Sequence, residues 1–315
     1  MIMGQGSVVS GKELWQWRQD ACKSAAEAGV PTAEVDWLLK EVAELDPLVL
    51  RLESSQQFSL LGQATENSTI QLSQPLPVLT QLWQKRINQR CPVQYLAGVT
   101  PWRHFSLRVS PAVLIPRPET EYLIDLAVNA VAMSSTPDLS SGHWADLGTG
   151  SGAIACGLAE VFPDGTIHAV DCTEEALAIA KLNAQQLGMA EKIKFYHGSW
   201  YSPLEAWKGQ LSGMVANPPY IPSNSLKQLQ PEIFYHEPHI ALDGGRDGLD
   251  CIRQLIDMSG DYLRPGGVWL IEMMAGQADK VVQLLQNLGS YSEIQIFPDL
   301  AGIDRFALAY RKYEV

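Results

Sequence analysis

Residues 212–223 read SGMVANPPYIPS: an apolar run ends at Asn217 and is followed by Pro218, Pro219 and Tyr220. Proline cannot continue a β-ladder, so the run stops as a strand does at a rigid corner. That corner has a particular chemistry. Two successive prolines fix the main chain after Asn217, so the Asn217 side-chain oxygen and the Pro218 carbonyl can stand as a preformed pair of acceptors, with the Tyr220 ring beside them. Two acceptors and a ring suit a planar primary amide or an exocyclic amine. The lone pair of an amide NH2 is delocalised into its carbonyl, and hydrogen bonds accepted from both N–H groups favour the pyramidal nitrogen that can attack a methyl sulfonium in line. Asn217, Pro218 and Tyr220 are therefore the expected catalytic residues.

A second motif, ADLGTGSGAIA, carries Gly148, Thr149, Gly150, Ser151 and Gly152 where a predicted strand turns into a helix. Its glycines allow left-handed backbone angles and let a ligand approach main-chain amides closely. Asp171 ends the next strand, in reach of ribose hydroxyls. The pair marks nucleotide-like binding at the carboxyl edge of an open sheet. It does not say which nucleotide. Gly148-x-Gly150-x-x-Ala153 also satisfies a permissive dinucleotide fingerprint, which keeps a nicotinamide-dependent oxidoreductase as a rival. Hydride transfer, however, has no use for an amide-holding corner.

These motifs need elements to position them. From His143 onward short apolar runs (HWADLG, TIHAVD, KIKFYHG, GMVAN, GVWLIEM) alternate with helical segments, which predicts an α/β fold with a parallel sheet covered by helices on both faces. YSEIQIF and DRFALAYR have no helix between them, so the sheet should close on a hairpin with one strand antiparallel to the rest. Residues 10–90 show helical spacing without obvious strands: TAEVDWLLKEVAELD places Val35, Leu38, Leu39, Val42 and Leu45 on one face behind a Thr32 cap, and PVLTQLWQKRINQ repeats the pattern. The stretch 91–118 is rich in proline and aromatics, with HFSLRVS alternating as a short strand. The expected organisation is a helical domain over 1–90, a structured linker with a short β-hairpin over 91–118, and the α/β domain over 119–315.

Composition narrows the function classes. At 315 residues, 46% hydrophobic and 18% charged, the chain is an ordinary globular sequence long enough for two domains, with no apolar stretch of membrane-span length and no signal-like start, so a cytoplasmic protein is expected. A net charge of −12 argues against a surface that grips nucleic acid as a whole. Between Asn67 and Pro118 there is nevertheless no Asp or Glu, while Lys85, Arg86, Arg90, Arg103, Arg108 and Arg117 fall there; this basic band is either a set of solvated charges or a docking surface for an acidic or RNA-bearing partner. The five cysteines show no C-x-x-C pair and read as packed free thiols, Cys172 among them. Trp15, Trp17, Trp37 and Trp83 fall at helical positions and are expected in a core, and His236-x-x-His239 lies in loop-forming sequence, with no third ligand for a metal nearby.

DLGTGSG, NPPY and a closing antiparallel hairpin together resemble a class I S-adenosylmethionine-dependent methyltransferase of the N-methylating kind. More narrowly, PVQYLAG, LIPRPETE, NPPYIPS, EPHIALDGGRDGL, LRPGG and DLAGIDR resemble, in family order, the release-factor glutamine methyltransferases, which modify the glutamine of the Gly-Gly-Gln loop in class-1 peptide-chain release factors. NPPY alone would be shared with adenine-N6 DNA methyltransferases, and a ribosomal-protein glutamine methyltransferase would share the amide-holding corner. The resemblance implies S-adenosylmethionine as cofactor, held by Gly148, Thr149, Gly150, Ser151 and Gly152 at its methionine part, by Asp171 at its ribose and by Trp200 beside its adenine; it implies Asn217, Pro218, Pro219 and Tyr220 as the substrate-binding set, with Asn217 shared between cofactor and substrate. It further implies a monomer that acts on release factors and not on DNA or membranes, with Arg117, Glu119 and Glu121 in the wall near the site. Read physically, that last stretch is a helix N-terminus, with Pro118 in the first turn. The chain departs from the family pattern at Ser199, where Asp is common, at Met273 and Met274 beside Glu272, and at PWRHF in the linker.

Overall fold

In the computed structural model, which describes residues 7–47, 49–50 and 69–313, the seven apolar runs form one seven-stranded sheet. Its strands are β5 (His143–Leu147), β6 (Thr166–Asp171), β7 (Ile193–His197), β8 (Leu211–Ala216), β9 (Leu263–Glu272), β10 (Tyr291–Pro298) and β11 (Asp304–Arg311), in the spatial order β10-β11-β9-β8-β5-β6-β7. Strands β5 to β9 pair in parallel, whereas β11 pairs antiparallel with both β9 and β10. The closing hairpin thus supplies the one reversed strand that the helix-free tail predicts. All six residues of β8 are buried, as a strand covered on both faces requires, and such strands read in sequence as unbroken apolar runs.

Two cores flank the sheet. One gathers Leu123, Ile124 and Leu126 of the helix Tyr122–Met133 and Ile154, Cys156 and Leu158 of the helix Ala153–Val161 against Trp144, Ile167 and Leu270. The other gathers Ile252, Leu255 and Ile256 of the helix Asp250–Tyr262 and Val281 and Leu285 of the helix Ala278–Leu288 against Leu147, Met214 and Trp269. Strand order reverses between β5 and β8, so their carboxyl ends open the crevice where α/β sheets bind ligands.

The chain divides into two compact units, Met1–Val99 with Pro231–His236, and Thr100–Gln230 with Glu237–Val315. In the first, the helices Gly11–Ala28, Ala33–Ala43 and Leu76–Gln89 bury Leu14, Leu38, Leu39 and Leu79 completely. Trp83 is in this core, with Trp15, Trp17 and Trp37 packed partly buried against it. Three details differ from expectation. Thr32 occupies the cap position of Ala33–Ala43 but makes no capping hydrogen bond, because its backbone is already helical. That helix ends at Ala43, and Leu45 reaches the core by a backbone bond to Leu39 O (3.1 Å) after a left-handed Glu44. A small antiparallel pair, β1 (Ser7–Ser10) and β2 (Thr69–Leu72), also joins the helices; four polar-flanked residues each are too short to show a period. Near the start of the second unit, β3 (Val99–Trp102) and β4 (Phe105–Arg108) form a two-stranded sheet.

Four of the six cations of the basic band, Arg86, Arg90, Arg103 and Arg117, are paired with acids. Arg86, 3% exposed, is gripped by Glu34 (2.5 Å) and Glu232 (2.9 Å), and Arg90 bonds Glu232 at 2.6 Å. Arg103 pairs with Asp125 and Arg117 with Glu237. Acids distant in sequence thus neutralise much of what a linear scan shows as an acid-free run.

Candidate active site

The glycine turn follows β5 directly. Gly148 and Thr149 both donate their N–H to Val170 O at 2.9 Å, which moors the turn to β6, and Gly148, Gly150 and Gly152 take φ of 81°, 53° and 81°. At Gly148 and Gly152 a side chain would be crowded as well, whereas Gly150 has open space around it. A Cβ on Gly148 would lie 3.3 Å from Trp200 Cζ3, and one on Gly152 would lie 3.0 Å from Ala180 Cβ. Gly150 N donates to Asp171 Oδ2 at 2.8 Å, while Asp171 Oδ1 accepts from the backbone N–H and the hydroxyl of Thr173 at 3.0 and 3.1 Å. The acid at the end of β6 is thus held rigid beside the turn. Trp200, at a φ of 49°, lays its ring over Gly148 and donates its indole N–H to Gln254 at 3.0 Å.

One acid behind the turn escaped the sequence reading. Asp146, fully buried, accepts Thr149 Oγ1 (2.5 Å) and Ala155 N (3.0 Å) on Oδ2, while its Oδ1 has no hydrogen-bond partner among the described residues. Burial pushes its carboxyl up to about 7. Its only sequence signal is an acid in the last strand position but one before the glycines.

The corner at Asn217 is built by neighbouring parallel strands. Ala216 of β8 lies opposite Ile271 of β9, so Asn217 and Glu272 emerge side by side at the carboxyl edge. Asn217 Nδ2 donates to Thr120 Oγ1 at 3.1 Å, Thr120 Oγ1 donates to Glu272 Oε2 at 2.7 Å, and Tyr220 OH donates to Glu272 Oε1 at 3.0 Å. Glu272 is 2% exposed and Thr120 4%. Burial raises the Glu272 carboxyl, against the lowering by its two hydroxyl donors and Arg305, and burial beside Glu272 pushes the Tyr220 phenol up. Asn217 Oδ1 has no protein partner among the described residues. The backbone behind the corner is clamped: Gln277 Nε2 donates to Tyr220 O and Gly248 O, each at 3.1 Å, and a Cβ on Gly244 would lie 2.8 Å from Pro219 O.

Gly148, Thr149, Gly150, Ser151, Asp171, Trp200, Asn217 and Pro219 line one cavity of about 700 Å³, a size at which pockets enclose most of a small ligand. Gly152, Pro218 and Tyr220 sit outside its lining: Gly152 caps the helix Ala153–Val161, Pro218 is buried, and Tyr220 turns to Glu272. Of the PETE stretch, Thr120 reaches the cavity, whereas Arg117 bonds Glu237 (2.7 Å) and Glu121 accepts Arg103 N (2.7 Å). The helix begins there as a short 3-10 turn, Glu119–Glu121. Cys172 corrects another expectation, since it is exposed and lines the cavity instead of packing inside. Ser199 lines the cavity too, and Met273 is absorbed in the core.

A seven-stranded sheet with one reversed strand and a glycine turn at its switch point defines a class I methyltransferase. Residues 123–246 match the Methyltransferase small domain family. The catalytic domain of hMettl16, solved in complex with MAT2A 3'UTR hairpin 6, superposes with a TM-score of 0.54 at 14% identity over 75% of this chain and 81% of that one, a likeness of fold alone. Release factor glutamine methyltransferases from Synechocystis sp. and Thermosynechococcus vestitus are 48% and 44% identical, each over 96% of this chain and over 97% and 99% of their own lengths. The chain belongs to the release factor glutamine methyltransferase family.

Proposed function

We propose that the protein transfers a methyl group from S-adenosylmethionine to the side-chain amide nitrogen (N5) of the glutamine in the Gly-Gly-Gln loop of class-1 release factors. The relatives at 48% and 44% identity are named release factor glutamine methyltransferases, which supports the enzyme class and the glutamine target. The observation that supports it most strongly lies at the corner. Asn217 is held through its Nδ2, which leaves Oδ1 unengaged on the wall of the cavity that also contains the glycine turn and Asp171. That is the acceptor a carboxamide N–H requires, and the Pro218 carbonyl is its proposed partner.

The residues fit an adenosyl methionine ligand. The glycine turn, Asp171 and Trp200 line one cavity, where the turn leaves room for the methionine part, Asp171 stands beside it for ribose hydroxyls, and the Trp200 ring offers a face to the adenine. When bound, S-adenosylmethionine supplies a methyl carbon activated by the adjoining sulfonium. The chain's own residues do the rest. Asn217 and Pro218 orient the amide nitrogen, Pro219 stiffens the corner, and Tyr220, locked by Glu272, bounds the space beside it. Positioning of this kind lowers the barrier by removing orientational freedom before reaction.

We further read the helical unit as the part that holds the release factor away from the reacting glutamine. The net charge of −12 supports a protein substrate over nucleic acid, and no described helix is long and apolar enough to cross a membrane. We take it to act as a monomer in the cytoplasm, where release factors act. Labelled methyl donor offered in parallel to a release factor, a ribosomal protein and DNA tests the assignment. Label on the release-factor glutamine is expected; label on DNA and not on protein would overturn it.

A further inference from the structure

Hydroxyl bookkeeping at the corner fixes more than contacts. Thr120 has a single hydroxyl proton, and an ionised Glu272, which can only accept, takes it at 2.7 Å. Thr120 Oγ1 can then serve Asn217 only as an acceptor, so the Asn217 amide must turn Nδ2 toward it, as the 3.1 Å contact records. The other oxygen of the same carboxylate holds Tyr220 OH.

We infer that Glu272 and Thr120 are positioning residues that set the polarity of the Asn217 amide, so that Oδ1 and not Nδ2 faces the substrate carboxamide. The inference rests on the functional reading above. If the polarity reversed, Asn217 would present N–H groups to the N–H groups of the glutamine, and the clamp would repel what it should hold. A protonated Glu272 permits that reversal. Its O–H can donate to Thr120, whose own proton then swings to Asn217 and calls for Oδ1 in place of Nδ2. The charged and titratable groups facing the carboxylate are Tyr220, Arg305 and Glu119; Arg305 favours the ionised form, while burial and Glu119 oppose it. Nothing in the sequence flags Thr120, which lies 152 residues from Glu272 and 97 from Asn217.

The test uses the full chain with a release factor as substrate. T120V keeps the shape and removes the hydroxyl; kcat should fall roughly 10- to 100-fold at saturating substrates, less than the roughly 10²–10³ for loss of a preorganised group itself, because Thr120 acts through Asn217. The dissociation constant for S-adenosylmethionine and the KM for release factor should change less than about threefold, because uniform binding is untouched. T120S, which restores the hydroxyl, should recover most of the lost kcat. The wild-type rate should also decline on an acid limb that E272Q lacks. A T120V kcat within about twofold of wild type, or an acid limb retained in E272Q, would overturn the relay. Failure of the wild type itself to label glutamine would instead defeat the functional reading.

Discussion

Replacing Asn217 by Ala removes one of the two acceptors assigned to the substrate amide. The side chain makes one neutral hydrogen bond, to Thr120 at 3.1 Å, so its loss costs about 0.5–1.5 kcal/mol of folding stability, small against the roughly 5–15 kcal/mol of an ordinary domain. The variant should therefore fold. Loss of a preorganised hydrogen-bonding group at a reacting centre costs about 2.7–4 kcal/mol of barrier, a slowing of roughly 10²–10³. Asn217 sits on the cavity wall opposite in role to Asp171 and the glycine turn, and those groups are untouched, so S-adenosylmethionine affinity should stay within about threefold of wild type. Single-turnover transfer of labelled methyl to a release factor reads the rate, and calorimetric titration reads the affinity. Transfer at the normal rate would remove Asn217 from the mechanism. A loss of cofactor binding that accounts for the whole defect would move it to the cofactor side.

Asp171→Asn should weaken S-adenosylmethionine binding by roughly 10-fold or more in titration, because the carboxylate that fixes the Gly150 amide at 2.8 Å becomes a neutral group with half the acceptor capacity. Gly152→Ala should destabilise the α/β unit by about 1–3 kcal/mol in denaturant unfolding, since a Cβ at φ 81° would stand 3.0 Å from Ala180 Cβ. Arg86→Ala should cost about 3 kcal/mol in the helical unit, because it removes a 3%-exposed guanidinium and leaves Glu34 without its cation, although Glu232 keeps Arg90. His168 is fully buried, with its ring nitrogens bonded to His143 and Tyr196, and burial, helped by His143 and Lys194, drives its pKa down to about 4. The unfolded chain then binds the extra proton between about 6.5 and 4, so melting temperature should fall as pH drops through that window, with a shallower slope in H168Q.

The sheet was legible because buried parallel strands are unbroken apolar runs, and the order of runs and helices implied the parallel core and its reversed closing strand. Asn217, Asp171 and the glycine turn were legible because each marks a strand end by its own residue type. Thr120 and Asp146 were not. Thr120 acts through a partner 152 residues away, and no local spacing encodes a contact formed by the meeting of a 3-10 turn with two strand ends. The pairing of the acid-free band was not legible for the same reason, since Glu232 reaches Arg86 across 146 residues. Pro218 and Tyr220 were legible as a rigid corner; that they fall outside the cavity lining, with Tyr220 bonded to Glu272, required the fold.

The claim beneath all of this is that the Asn217–Pro218 corner receives a glutamine carboxamide through its nitrogen. A crystal structure with S-adenosylhomocysteine and a glutamine-bearing release-factor peptide measures it directly. The account predicts the glutamine Nε2 within hydrogen-bonding distance, about 3 Å, of both Asn217 Oδ1 and the Pro218 carbonyl. A carboxamide seated elsewhere in the cavity, or one that meets Asn217 through its oxygen, would contradict it.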